Sequence, residues 1–177
     1  MTTAPPVGSV TFDGHPLTLV GRTVAIGGTA PDFRVLDASL SEIRLSDFRG
    51  KTVMLVSLPS LDTPVCDIEA RMFNERVTGI ESNLVVLVIS MDLPFAQSRW
   101  CAATGVDQVL AVSDHRDASF GLAYGMLIAE LRLLARAIFI VDRDGILRYH
   151  QLVPEIGEEP DYDEVFEAAS ALAAGNS

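Results

Sequence analysis

Cysteine is scarce in this chain, with two residues among 177, Cys66 and Cys101. Two thiols so far apart are too few for a metal cage and lack the C-x-x-C pairing of thioredoxin-type redox sites. In a reducing compartment a permanent bridge between them is not expected, whereas a transient catalytic one is the usual exception. Two options stay open, a redox pair or two unrelated thiols. Histidine is nearly as sparse: His15, His115 and His150 are scattered without metal-ligand spacing and read as surface residues. Cations are outnumbered, 13 Lys and Arg against 24 Asp and Glu, giving a net charge of −11. That balance argues against nucleic acid and against anionic membrane surfaces, both of which call for a basic footprint.

Long apolar runs are missing as well. The longest, at residues 84–89, is far too short to cross a bilayer. Residues 1–8 have neither the positive charge nor the apolar core of a secretory signal, so a cytoplasmic location is expected, and their Pro, Thr and Gly read as a loose tail. No phosphate loop, dinucleotide fingerprint, zinc protease motif or nucleophile elbow occurs, so neither cofactor nor metal is expected. A 49% hydrophobic composition over this length suits one domain spanning residues 1–177.

What is present concentrates in Pro59-Ser60-Leu61-Asp62-Thr63-Pro64-Val65-Cys66. Upstream, Val53-Met54-Leu55-Val56 reads as a strand buried on both faces and stopped by Pro59. Thr63 offers a hydroxyl as an N-cap, and Pro64 follows at the first helical position, where a missing N–H costs nothing. Cys66 then falls in the first helical turn, facing unpaired backbone N–H groups and the positive end of the helix dipole, both of which favour a thiolate. It also belongs to an apolar stripe, Cys66, Ala70, Phe73, Val77 and Ile80, so a merely buried cysteine is the competing reading. Asp62, Asp67 and Glu69 add negative charge near the helix start, which suits the dipole and opposes the thiolate.

Along the chain, residues 10–12 and 17–19 form a hairpin around Asp13-Gly14. A strand is expected at 34–36, a turn at 46–50 and a second apolar strand at 83–91 in right-handed parallel crossover from the first. Asp92 reads as the cap of a helix at 93–103, with Cys101 near its far end. A third strand at 108–112, a short helix at 118–124, a hairpin of 137–141 with 146–152 and a closing helix at 161–174 follow. The order implies a central mixed sheet with helices on both faces.

Pro59-x-x-x-Thr63-x-x-Cys66 resembles the peroxidatic-cysteine motif of the peroxiredoxins. Ser60 to Cys66 is similar to the thiol peroxidase branch in particular, of the atypical two-cysteine type. The likeness continues through Asp92-Leu93-Pro94-Phe95-Ala96-Gln97-Ser98-Arg99-Trp100-Cys101, Leu134-Ala135-Arg136-Ala137, Pro154-Glu155-Ile156 and Glu159-Pro160-Asp161-Tyr162. Asp67 and Trp100 depart from the small residue and the Phe more usual in the family.

The resemblance implies a thioredoxin-like fold with an added N-terminal hairpin and a peroxidase acting on hydrogen peroxide or organic hydroperoxides. Cys66 would be the nucleophile that becomes a sulfenic acid, and Thr63 would hydrogen-bond thiolate or peroxide. Arg136 would supply fixed positive charge, and Pro59 would shield the site. Cys101 would resolve the sulfenic acid as a Cys66–Cys101 disulfide, with one helix loosening to let the bond close. A thioredoxin-type reductant and a homodimer are implied too. From the residues alone, Arg136 reads first as a solvated surface charge, Cys101 as readily as a buried apolar residue, and Pro59 as readily as a plain strand end. A thiol–disulfide oxidoreductase or a peroxide-sensing relay protein is the alternative function.

Overall fold

A computed structural model describes residues 4–80 and 83–174. Pro6–Phe12 (β1) and His15–Val20 (β2) pair antiparallel around Asp13 and Gly14, both at positive φ, the two-residue turn that Asp-Gly favours. The strand starts earlier than the sequence suggests. Residues 6–8, expected in a loose tail, pair with β2, because proline is tolerated at the first residue of an edge strand. Residues 1–3 of that tail lie outside the described residues.

Next come Arg34–Leu36 (β3), Glu42–Arg44 (β4), a 3-10 turn at Leu45–Phe48, Thr52–Ser57 (β5) and the helix Pro64–Val77 (α1). Leu84–Ser90 (β6), Pro94–Thr104 (α2), Leu110–Ser113 (β7) and Ser119–Ala123 (α3) follow. Leu127–Ile128 (β8), Ala137–Val141 (β9), Leu147–Leu152 (β10) and Tyr162–Ala174 (α4) complete the order. The main sheet runs β10-β9-β5-β6-β7-β3-β4, with β5, β6 and β7 parallel and the other pairings antiparallel. A small sheet, β1-β2-β8, joins the hairpin to the body. The mixed sheet flanked by helices matches the expected fold class.

Strand alternation divides the interior. Along β5, Val53 and Leu55 join a cluster with Leu19, Phe120 and Phe139, whereas Met54 and Val56 face a second cluster holding Cys66, Ala70, Phe73, Trp100 and Val165. The first face is covered by α3 and the N-terminal hairpin, the second by α1, α4 and the Trp100 turn of α2. Cys101 packs against this second cluster. Both thiols therefore lie on one side of the sheet.

Phe73 keys α1 to α4: it is fully buried, and its ring lies 5.7 Å from that of Tyr162 and 5.4 Å from that of Phe166. Phe73→Ala should cost about 3–5 kcal/mol, read as a lower urea midpoint at unchanged m. A loss under about 1 kcal/mol would mean the ring does not key the helices.

Candidate active site

The loop after β5 is shaped by backbone closure and by a distant carboxylate. Thr63 has the extended backbone of an N-cap (φ −105°, ψ 147°) and Pro64 opens α1, as the sequence implies. Its hydroxyl, however, does not cap the helix. It donates to the Ser60 carbonyl at 2.9 Å, to which the Thr63 amide also donates at 3.1 Å, so the side chain closes the loop rather than the helix. Asp92 differs from expectation in the same way: Leu93 is the N-cap of α2, and no side chain caps it. The Asp92 carboxylate instead accepts from Ser60 Oγ at 2.7 Å, the Leu61 amide at 2.8 Å and Ser90 Oγ at 2.8 Å. Three donors in the Cys66 loop and at the end of β6 outbid one helix terminus, and α2 is tied to that loop as a result.

Cys66 sits at the third helical position with none of its surface exposed. Arg136 immediately precedes β9, beside the end of β5, where Ser57 pairs with Ala137. Ile138 on the same alternation faces the Cys66 cluster, so the Arg136 side chain is delivered to the sulfur's side of the sheet. Its Nη2 donates to Cys66 Sγ at 3.3 Å and to the Ile156 carbonyl at 2.9 Å, and its Nη1 donates to Glu69. Arg136 is 1% exposed and Glu69 fully enclosed, so the surface-charge reading of Arg136 is excluded. Pro59 is buried at the end of β5, while Asp62, Thr63 and Pro64 are exposed at the rim. The structure thus gathers Cys66, Arg136, Pro59 and Thr63 at one end of the sheet. It does not join the Thr63 hydroxyl to the sulfur.

Cys101 is half-buried in the third turn of α2, and both cysteines are free. Burial pushes the Cys101 thiol up, so within its helix it stays protonated. The histidines are not all on the surface as expected: His115 is half-buried with Nδ1 2.8 Å from Ser113 Oγ, and the His150 ring stacks on Phe139 at 4.5 Å.

Sequence reasoning missed Glu69 as part of the site and counted it only as charge near the helix start. A signal was there. Residue 69 is three positions from Cys66 and adjacent to Ala70, hence on the buried face, and a carboxylate on that face needs a buried cation. Arg136, set among Leu133, Leu134, Ala137 and Ile138, needs an anion in turn. The Ile156 carbonyl could not be foreseen, because it is placed by β1: the Ile156 amide donates to Thr11 O at 2.9 Å, and the Thr11 amide to Pro154 O at 2.7 Å.

Residues 25–166 match the Redoxin family. The thiol peroxidase of Bacillus subtilis (strain 168) is 50% identical over 92% of this chain and 97% of its own length. That of Halalkalibacterium halodurans is 48% identical over 92% and 98%. The chain belongs to the redoxin family, in the thiol peroxidase branch of the peroxiredoxins. It is a thiol-dependent peroxidase of the peroxiredoxin type. A peroxiredoxin-like protein from Aquifex aeolicus superposes with a TM-score of 0.88 at 41% identity, covering 94% of this chain and 98% of that one. A thiol peroxidase from Chromobacterium violaceum superposes at 0.83 with 20% identity, covering 92% and 95%, a likeness of fold. Among the described residues no helix is long and apolar enough to span a membrane, and no His, Cys, Asp and Glu group is arranged to hold a metal.

Burial pushes the Glu69 carboxyl up to about 7 while Arg136 pulls the other way. A carboxyl raised in the folded state binds its proton more tightly there than in the unfolded chain. Its contribution to stability is complete below the ordinary value of 4.5 and is lost as pH rises through about 7. Asp114, raised to about 6 chiefly by burial, acts in the same direction over a lower window. Glu69→Gln should flatten the fall in urea midpoint over the upper part of that range and leave the Asp114 part in place. An unaltered slope would show that Glu69 does not titrate there.

Proposed function

We propose that the chain reduces hydrogen peroxide and organic hydroperoxides at Cys66, with Cys101 as the resolving thiol and a thioredoxin-type dithiol as reductant. The observation that carries this reading is the buried guanidinium of Arg136 at 3.3 Å from Cys66 Sγ. Fixed charge and donors there stabilise the negative charge that passes from sulfur to the departing oxygen as the O–O bond breaks. Arg136 Nε is also buried with no hydrogen-bond partner among the described residues, a donor in reserve for an oxygen arriving beside the sulfur.

In the first step the Cys66 thiolate attacks one peroxide oxygen. The S–O bond forms as the O–O bond breaks, sulfur is oxidised by two electrons, and the departing oxygen takes a proton and leaves as water or an alcohol. Because Cys66 is enclosed, the oxidant enters by displacement of the rim formed by Asp62, Thr63 and Pro64. Thr63 Oγ1 donates to Ser60, which leaves its lone pairs to accept a hydroperoxide proton at that rim. Pro59 keeps water from the end of β5.

In the second step Cys101 attacks the Cys66 sulfenic acid. The S–S bond forms, the S–O bond breaks, and hydroxide leaves as water with the proton of the Cys101 thiol. The reductant returns two electrons and two protons. Placement of both cysteines against one core cluster supports the pairing. We extend the reading to a cytoplasmic homodimer, which the exposed Ile68, Leu93 and Phe95 on and beside the thiol-bearing helices favour.

Cys66→Ser should abolish peroxide consumption. Cys101→Ser should consume about one equivalent per chain and then stop in a thioredoxin-coupled assay. Intact mass after a stoichiometric peroxide pulse should show loss of two hydrogens in the parent and gain of one oxygen in Cys101→Ser. Sustained coupled turnover by Cys101→Ser would remove the resolving role, and turnover by Cys66→Ser would remove the reading altogether.

A further inference from the structure

The single tryptophan of the chain, Trp100, donates its indole N–H to Asp67 Oδ1 at 2.7 Å. Asp67 follows Cys66 in the first turn of α1, and Trp100 precedes Cys101 in the third turn of α2. One charge-assisted hydrogen bond therefore joins the two helices at positions each one residue from a thiol. The bond is part-buried: Trp100 is 8% exposed and packs in the core cluster that holds Cys66, while the Asp67 side chain stays 33% exposed. Asp67 is held ready for it, since Arg71 Nε reaches its two carboxylate oxygens at 3.1 and 3.0 Å. Gly105 at φ 71° ends α2 one turn beyond Cys101, with its amide on the Cys101 carbonyl at 3.0 Å, so the thiol's turn lies next to a helix terminus that can fray.

Resting on the two-cysteine cycle above, we propose that Asp67 and Trp100 are positioning residues that latch the first turn of α1 to the last turns of α2, so that breaking their hydrogen bond sets the rate of disulfide formation after Cys66 is oxidised. The latch holds Cys101 within its helix and apart from Cys66, while Arg136 and the loop tied by Asp92 keep Cys66 where peroxide attack occurs. The S–S bond demands α-carbons within about 7 Å and a set dihedral, which thiols on two intact helices reach only when one turn opens. Until it opens, the sulfenic acid stays exposed to a second peroxide, whose oxygen transfer yields sulfinic acid and water or alcohol. The latch thus divides oxidised Cys66 between recycling and irreversible oxidation.

Trp100→Phe tests this without altering charge near the sulfur, which Asp67→Ala would do. Neither residue touches the reacting atoms, so peroxide attack, followed by single turnover, should stay within about twofold of the parent. Loss of one charge-assisted bond should speed both amide exchange around Cys101 in the reduced protein and disulfide formation about tenfold, and should lower the sulfinic fraction at high peroxide. Asp67→Asn, which keeps an acceptor oxygen for the indole, should fall between parent and Trp100→Phe. Equal exchange and equal disulfide rates in Trp100→Phe and parent would overturn the latch alone. Absence of any Cys66–Cys101 linkage in the parent would overturn the two-cysteine cycle and the latch with it.

Discussion

The site hangs on one buried ion pair. Arg136 and Glu69 meet in the core under α1, and the arginine's second amino group bridges Cys66 Sγ and the Ile156 carbonyl. A buried pair of this kind is a poor source of net stability, because desolvation offsets most of the attraction. Its value here is placement. The carboxylate and the carbonyl fix the guanidinium in two directions and aim an Nη2 N–H at sulfur, so the positive charge need not reorganise when an oxygen leaves.

That placement draws on most of the fold. The alternation of β9 sends Arg136 to the Cys66 face, α1 supplies both Cys66 and Glu69 three positions apart on its buried face, and β1 holds Ile156 through paired amides. The N-terminal hairpin, at first sight an appendage, is thereby tied through Ile156 to the cation. Asp92 fixes the loop from the other side through Ser60 and Leu61. Cys66 is gripped at the sulfur by charge, at the loop by Asp92 and at the next residue by Trp100.

Much of this was legible in the sequence, where signals were local. The buried run of β5, the proline at the start of α1, the Asp-Gly turn and the apolar stripe through Phe73 each act within a few residues, and each element appeared where those signals put it. Strands β4 and β8, three and two residues long, were not legible, because such short segments owe their pairing to partners far along the chain. Asp92 and Thr63 looked like caps because capping is the local use of such residues; tertiary partners took them instead. Arg136 stood among apolar neighbours and Glu69 counted only as charge near the helix start, and each explains the other only once the fold has brought them together.

The central claim is that Arg136, rather than the helix terminus alone, makes Cys66 reactive. Stopped-flow measurement of the second-order reaction of Cys66 with hydrogen peroxide, in Cys101→Ser and in Cys101→Ser carrying Arg136→Met, tests it most directly. Glu69, already raised to about 7, can take a proton when its partner is lost, which spares the variant an unpaired buried charge. The account predicts a rate lower by about a hundredfold in Arg136→Met with the folded state retained by circular dichroism. Equal rates in the two folded proteins would contradict it.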